Sequence, residues 1–245
     1  MIFYLNSMEE LANSTNSIKA SVVDNGFALI RGLFKSSEVR MSLPLIYSHL
    51  DNAKILGTTQ GTRDTPRCNS TKWSVGCMTG AQPGNARLMI TIYNPIHQDD
   101  IFNIRSCFER MISIRDIIRD DKKTTNDKNL LGESFNACRL QIYPQGGGFM
   151  LGHKDYIADL NSEAQKIPLL QLLLFVTQRG LDFDEGGAHI VHNNNQIDIE
   201  EFAHSGDLVI YNGNSFHGVA DIDPAKPLNT VTIRGRVVAL VTIYN

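Results

Sequence analysis

Three His-x-Asp triplets in the sequence could each supply two ligands to a metal ion: His49-Leu50-Asp51, His97-Gln98-Asp99 and His153-Lys154-Asp155. On a β-strand, residues i and i+2 point to the same face, whereas on an α-helix they lie ~200° apart around the axis. The first triplet falls in a predicted helix, and Asp99 or Asp100 is expected to cap the next helix. Only His153 and Asp155 belong to a strand-rich region, and we therefore expect these two side chains to face one ion.

A third ligand would have to come from further along the chain, where four histidines are candidates: His189, His192, His204 and His217. His204 precedes a Ser-Gly-Asp turn and is expected to be exposed. His217 differs from the others because it opens a strand and is followed by a long terminal strand. Two histidines and one carboxylate form the facial triad of non-haem Fe(II) oxygenases, whereas zinc more often takes three or four His or Cys ligands.

The second half of the chain alternates short apolar segments with turns rich in Gly and Asn. This pattern predicts strands at 135–143, 148–156, 168–177, 187–192, 207–212, 215–221 and 230–244. Many short strands at this spacing favour a sandwich or barrel, and a jelly roll accommodates seven or eight of them. The predicted fold class is mainly β with flanking helices.

The first half is predicted to be largely helical. We expect a strand at 25–34, a helix at 36–53 with a kink at Pro44, and a helix at 100–119 whose apolar residues recur every three or four positions. The Gly- and Ser-rich segment 57–87 lacks such a period and is a candidate lid, and residues 120–133 are expected to form a solvated loop. We predict a single domain, 1–245, with a helical part at about 1–134 and a jelly-roll core at about 135–245.

Composition limits the classes of partner. The formal net charge of -3 argues against a nucleic-acid-binding protein, which would normally have a basic excess. No segment reaches the ~20 apolar residues that span a bilayer, and no secretory signal is evident. The four cysteines are isolated from one another, which is typical of reduced thiols in a cytoplasmic protein. The sequence does not define the oligomeric state.

Four segments of the second half, taken in order, resemble the Fe(II)/2-oxoglutarate-dependent oxygenases and especially their prolyl-hydroxylase-like branch: RLQIYPQGGGFMLGHKD, LLLFVTQRGLDFDEGGAHI, HSGDLVIYNGNSFHGVADI and GRVVALVTIY. This resemblance implies a double-stranded β-helix, a cupin-like jelly roll. It also implies that His153, Asp155 and His217 bind Fe(II), with 2-oxoglutarate and O2 as co-substrates.

The resemblance further implies a basic residue on the last strand that pairs with the far carboxylate of 2-oxoglutarate. A buried carboxylate must be paired, and the fork of an arginine suits this task. Arg234 and Arg236 share strand parity, and alternation alone therefore does not distinguish them. The family pattern favours Arg236, which directly precedes the apolar run, while the long separation from His217 keeps Arg234 open. Tyr143 matches a position from which a tyrosine often helps to hold the co-substrate.

The implied reaction converts 2-oxoglutarate to succinate and CO2 while oxidising, most simply hydroxylating, an unactivated C–H bond. Halogenation is disfavoured because related halogenases have a small residue in place of Asp155. A small molecule such as an amino acid or specialised metabolite is the expected substrate, and Arg63, Arg67 and Trp73, with Lys72 beside them, would close over its carboxylate. Two alternatives are a cupin-like metalloenzyme that does not use 2-oxoglutarate and a non-catalytic jelly-roll binding module.

Overall fold

The computed structural model describes residues 1–52, 67–75, 88–119, 135–155 and 170–244. Its helices are α1 (Met8–Asn25), α2 (Ser36–Arg40), α3 (Leu43–Asn52) and α4 (Arg105–Arg119). Its strands are β1 (Ile2–Tyr4), β2 (Phe27–Arg31), β3 (Ser70–Val75), β4 (Leu88–Tyr93), β5 (Phe135–Pro144), β6 (Gly148–His153), β7 (Leu170–Phe175), β8 (Gly187–His192), β9 (Asn195–Asp198), β10 (Leu208–Asn212), β11 (Phe216–Ile222) and β12 (Gly235–Tyr244).

The strands form two sheets that face each other. The larger sheet has the order β1-β2-β10-β7-β12-β5-β4-β3, and the smaller has the order β6-β11-β8-β9. Apart from the parallel pair β1 and β2, neighbouring strands are antiparallel. Two facing antiparallel sheets with helices against one outer side form the jelly roll that the sequence predicts.

Both faces of the larger sheet are buried, and its central strands show this in their sequence. On β12, Val237, Ala239 and Val241 pack with the helices in one apolar cluster, whereas Val238 and Leu240 pack between the two sheets. Alternate residues of a strand point to opposite faces, and a strand buried on both sides is therefore apolar throughout. This arrangement places Arg236, which shares parity with Val238, on the inner face of the sandwich.

The N-terminal part contains the predicted helices but also four strands that extend the larger sheet. The prediction of a lid at 57–87 is partly wrong, because β3 lies within this segment and pairs with β4 along the whole length of β3. Trp73 on β3 is buried at 5% exposure within the apolar cluster on the helix side. The remainder of segment 57–87, including Arg63, lies outside the described residues except for the short stretch before β3.

Two details of the helices differ from the prediction. The predicted helix 36–53 is broken between α2 and α3, and Pro44 lies in the first turn of α3, where its missing N–H costs little. Helix α1 was not predicted, although Ser7 accepts a hydrogen bond from the Glu10 N–H and Glu10 accepts one from the Asn6 N–H. A serine followed three residues later by a glutamate is a sequence pattern that marks the start of a helix.

Within the described ranges, the helices are too short or too polar to cross a membrane. A cytoplasmic location stays a prediction.

Candidate metal centre

His153 and His217 lie opposite each other on neighbouring strands of the smaller sheet. They are cross-strand partners at the ends of β6 and β11, and their ring centroids are 4.4 Å apart. Asp155 follows β6 by two residues, and its backbone N–H donates to the Gly213 carbonyl at 2.8 Å. The potential ligand atoms of these three side chains all lie within 4.8 Å of one another, and this is the one such group in the described part of the chain.

The two imidazoles are oriented by their own backbone. The Nδ1 of His153 lies 2.9 Å from the Leu151 carbonyl oxygen, and the Nδ1 of His217 lies 2.8 Å from the Ser215 carbonyl oxygen. Because a carbonyl only accepts, each Nδ1 carries the proton and donates, which leaves the Nε2 lone pair free. Both Nε2 atoms face Asp155, at 3.6 Å from Oδ1 for His153 and 3.7 Å from Oδ2 for His217. This donor set fits a divalent metal ion with an open coordination face.

The electrostatics of Asp155 and His217 suit a metal site, whereas the interaction with Asp155 raises the pKa of His153, so that a metal ion at this imidazole would replace a proton. Burial raises the pKa of Asp155, but its interactions with the neighbouring His153, His217 and Arg139 side chains lower it more, and the net pKa is below its ordinary value. The carboxylate is therefore ionised at neutral pH. Burial lowers the pKa of His217, which keeps that imidazole neutral and able to bind a cation.

Gln171 on β7 is a residue that sequence analysis did not identify. Its Nε2 donates to Asp155 Oδ2 at 2.9 Å, and its Oε1 accepts from the Thr242 hydroxyl at 3.4 Å. Gln171 thus links the carboxylate to the larger sheet across the sandwich. Its sequence context, an apolar strand interrupted by one amide, is the only local sign of this role.

We expect Gln171→Met to weaken metal binding about 10- to 100-fold, because outer partners of metal ligands typically contribute this much to affinity. The measurement is a titration of the metal-free protein with Co(II), followed by absorbance. The matched control is Gln196→Met, at an exposed position of β9, which should leave the affinity unchanged. Equal affinity of the Gln171 variant and the wild type would show that Asp155 does not depend on this hydrogen bond.

A cavity of about 530 Å³ extends from the three residues into the sandwich. Arg236 lines it at 1% exposure, with its guanidinium 5.5 Å from the Tyr143 ring centre and 5.4 Å from the Phe175 ring centre. Its Nε donates to the buried carboxylate of Glu200, while its Nη2 has no hydrogen-bond partner. A buried guanidinium nitrogen without a partner, in a cavity that also contains a metal-ligand set, fits an anionic group of a bound molecule.

Arg234 lies elsewhere. It pairs with Asp51 of α3 at 3.0 Å and stacks on Tyr47 with its guanidinium 4.4 Å from the ring centre. Gly235 between the two arginines has φ +147°, a conformation in which the strand alternation does not continue. The shared parity assumed in the sequence analysis is therefore wrong, and Arg236 is the arginine that lines the cavity.

Tyr143 also lines the cavity, next to Arg236 in the strand register. Its hydroxyl donates to Gln141 Oε1 at 3.1 Å. Burial raises its pKa to about 12, and the hydroxyl therefore stays protonated and remains a donor at physiological pH.

The structure places the residues predicted to contact a substrate in different environments. Trp73 lies in the core and Arg67 stacks 4.6 Å from the Phe135 ring centre, and neither lines the cavity, while Arg63 lies outside the described residues. Lys72 does line it, because it points to the face of β3 opposite Trp73. Arg139 on β5 lines it as well and was not identified from the sequence.

The other histidines do not join the metal ligands in the described structure. The Nε2 of His49 lies 2.8 Å from the Thr71 hydroxyl, whereas Asp51 pairs with Arg234, as expected for a triplet whose side chains diverge on a helix. The Nε2 of His192 lies 3.0 Å from the Asp24 carbonyl. His189 lines the cavity but is not part of the ligand group.

Comparisons with known proteins agree with this architecture. No family model and no curated protein matches the sequence. Among solved structures, a protein assigned to the 2OG-Fe(II) oxygenase family from Caulobacter crescentus is similar at TM-score 0.59 and 11% identity, over 99% of this chain and 86% of that one.

Two further structures are similar. A prolyl hydroxylase from Trichoplax adhaerens, solved with a hypoxia inducible factor peptide fragment, has TM-score 0.54 and 13% identity over 96% of this chain and 91% of that one. A full-length protein from Neurospora crassa, solved in complex with alpha-KG, has TM-score 0.53 and 12% identity over 99% of this chain and 84% of that one. The described chain therefore has the jelly-roll fold of the prolyl hydroxylases and 2OG-Fe(II) oxygenases, as its sequence resemblance implies.

Proposed function

We propose that this protein is an Fe(II)/2-oxoglutarate-dependent dioxygenase that oxidises, most simply hydroxylates, an unactivated C–H bond of a small molecule. The main observation is that one cavity contains both the His153, Asp155 and His217 ligand set and a buried Arg236 with an unpartnered Nη2. A metal-binding site without 2-oxoglutarate has no need of the second feature. The similar structures support the proposal, since one is of a 2OG-Fe(II) oxygenase family and another was solved with alpha-KG, which is 2-oxoglutarate.

Each group of the chain has a defined task in this proposal. The two Nε2 atoms and the Asp155 carboxylate would hold Fe(II). When bound, iron, 2-oxoglutarate and O2 together supply the oxidising chemistry that C–H hydroxylation requires. Arg236 Nη2 and the Tyr143 hydroxyl bind the distal carboxylate, and the apolar walls formed by Leu173, Val209 and Leu240 exclude water.

The direct test is release of succinate. Iron-loaded protein incubated with 2-oxoglutarate and O2 should produce succinate, slowly alone and faster with a substrate from a panel of amino acids and metabolites. Tight iron binding with no affinity for 2-oxoglutarate would instead favour a cupin-like metalloenzyme. Absence of both would favour a binding module.

The cavity wall indicates the chemical class of the substrate. Lys72 pairs in register with Thr91, which pairs with Gln141, while Arg139 pairs with Tyr93 one row further along the same face. The backbone positions of Lys72 and Arg139 are therefore two strand spacings of ~4.8 Å apart across the sheet and ~7 Å apart along the strands. Both side chains are long enough to contact one small anion. Asp155 is the one carboxylate among the described residues that line the cavity. The proposed substrate is thus a small molecule that carries a carboxylate, such as a free amino acid, and a cavity of this volume suits a small ligand.

We expect Arg139→Gln and Lys72→Gln each to raise the KM for a carboxylate substrate about 10- to 100-fold, because a charge-assisted hydrogen bond contributes ~1.5–3 kcal/mol. The KM for 2-oxoglutarate should change little. Lys35→Gln, at an exposed position before α2, is the control for loss of a positive charge. If the carboxamide analogues of the active substrates reacted as well as the acids, the proposal of a carboxylate-bearing substrate would be wrong.

A further inference from the structure

Glu200 forms the buried base of the Arg236 site. It lies in the short 3-10 helix that follows β9, and neither Glu200 nor Arg236 exposes more than 1% of its side chain. Glu200 Oε1 accepts from Arg236 Nε and from the Ala188 N–H at 3.2 Å. Gly187 makes room for it, since a Cβ there would meet Glu200 Cγ at 2.0 Å. The fold thus provides a specific buried site for the Glu200 carboxylate.

Both partners retain one unsatisfied atom. Glu200 Oε2 and Arg236 Nη2 are buried and have no hydrogen-bond partner. Without a ligand, the two opposite charges balance each other, which makes the buried pair tolerable. The free Nη2 is the donor left for an incoming anion.

Binding of 2-oxoglutarate changes this balance. Its distal carboxylate would place a second anion on a guanidinium that Glu200 already neutralises. Glu200 and the distal carboxylate would both lie on the Arg236 guanidinium, with Arg139 as a further cation lining the cavity. The repulsion between two buried carboxylates favours protonation of one of them. The distal carboxylate gains the Nη2 and Tyr143 donors, whereas Glu200 Oε2 has no donor. Glu200 is therefore the group that accepts the proton.

We propose that Glu200 takes up one proton from solvent when 2-oxoglutarate binds, so that co-substrate binding weakens as the pH rises. This inference rests on the proposed function. The neutral carboxyl still accepts the Arg236 Nε–H at Oε1 and keeps the guanidinium aimed into the cavity. Protonation at Oε2 removes the negative charge from a buried atom that has no hydrogen-bond donor in the described structure. Glu200 is thus a positioning residue for Arg236.

Other titratable groups around Glu200 are less suited to this role. Asp198 accepts the Glu200 N–H and pairs with Arg179 at 2.6 Å, with 43% of its side chain exposed. Tyr143 is already protonated. His189 on β8 is the main competitor, because burial lowers its pKa and its buried Nδ1 lacks a partner. A proton taken up by His189 instead would be independent of residue 200.

The test is calorimetric titration of Mn(II)-loaded, turnover-inactive protein with 2-oxoglutarate in buffers of different ionisation enthalpy. The wild type should take up as much as one proton per 2-oxoglutarate, and its Kd should rise up to tenfold per pH unit above neutrality. Glu200→Gln keeps the acceptor for Arg236 Nε, and we expect it to bind with no proton uptake and a Kd independent of pH. Without 2-oxoglutarate this variant should unfold at a lower temperature than the wild type. At alkaline pH, 2-oxoglutarate should raise the unfolding temperature of the variant more than that of the wild type.

The possible results separate the two proposals. No 2-oxoglutarate binding by the wild type would overturn the proposed function. Binding without proton uptake would overturn only the role of Glu200, as would uptake that persists in Glu200→Gln and is lost in His189→Gln. If Glu200→Gln does not fold, uptake that persists in His189→Gln supports Glu200 as the acceptor, and no uptake by the wild type overturns its role.

Discussion

Replacement of His217 with alanine is expected to lower iron affinity more than about 100-fold and to abolish 2-oxoglutarate turnover. The imidazole supplies one of three protein ligands, and its loss leaves two ligands from a single short segment, His153 and Asp155. Removal of an outer partner alone costs about 10- to 100-fold, and removal of a ligand should cost more. Asp155→Ala should behave in the same way. The measurement is bound iron after anaerobic reconstitution and dialysis.

The matched control is His204→Ala, since His204 is exposed on the connection before β10. It should bind one iron per chain like the wild type. Thermal unfolding of the metal-free variants checks that the fold persists, because His217 lies at the end of its strand and is not part of the apolar core. One iron per chain in His217→Ala would contradict the assignment of this residue as a ligand.

Loss of the Arg236 guanidinium is expected to raise the Kd for 2-oxoglutarate about 100- to 1,000-fold, because a buried charge would lose its partner. Arg236→Gln alone would leave Glu200 buried and unpaired, which threatens the fold. The double variant Arg236→Gln, Glu200→Gln removes both charges and leaves no buried charge without a partner. Calorimetric titration of the Mn(II)-loaded protein measures the effect, and metal affinity should remain near that of the wild type.

Arg234→Gln is the control for this measurement, since it removes an arginine two residues away whose partner is the partly exposed Asp51. Its effect on the Kd should be less than about threefold, as expected for a pair near the surface. A large loss of affinity for 2-oxoglutarate in Arg234→Gln, with little effect in the double variant, would show that Arg234 and not Arg236 binds the co-substrate.

The sequence predicted the centre of the site because its signals there are local. His153 and Asp155 are two residues apart, and the strands that contain or follow them show clear apolar patterns between Gly-rich turns. Strands β5, β8 and β10 lie within about two residues of their predicted bounds. The pairing of His153 with His217 is not local, and the family resemblance supplied it.

The sequence did not predict features that depend on contacts across the sandwich. Gln171 and Glu200 act on Asp155 and Arg236 from other strands or connections, and neither belongs to a recognisable motif. Strand β3 was interpreted as part of a lid because segment 57–87 as a whole shows no periodic pattern, although Lys72 and Trp73 lie on opposite faces of the strand. The sign of the φ angle at Gly235, which separates the directions of Arg234 and Arg236, has no sequence signal beyond the glycine itself.

The central claim is that His153, Asp155 and His217 bind one iron ion, and anomalous X-ray diffraction at the iron edge from crystals of the anaerobically reconstituted protein tests it most directly. The account predicts a single anomalous peak within ~2.2 Å of both Nε2 atoms and one Asp155 oxygen. A peak bound by other residues, or no peak in crystals of protein that retains iron in solution, would contradict it.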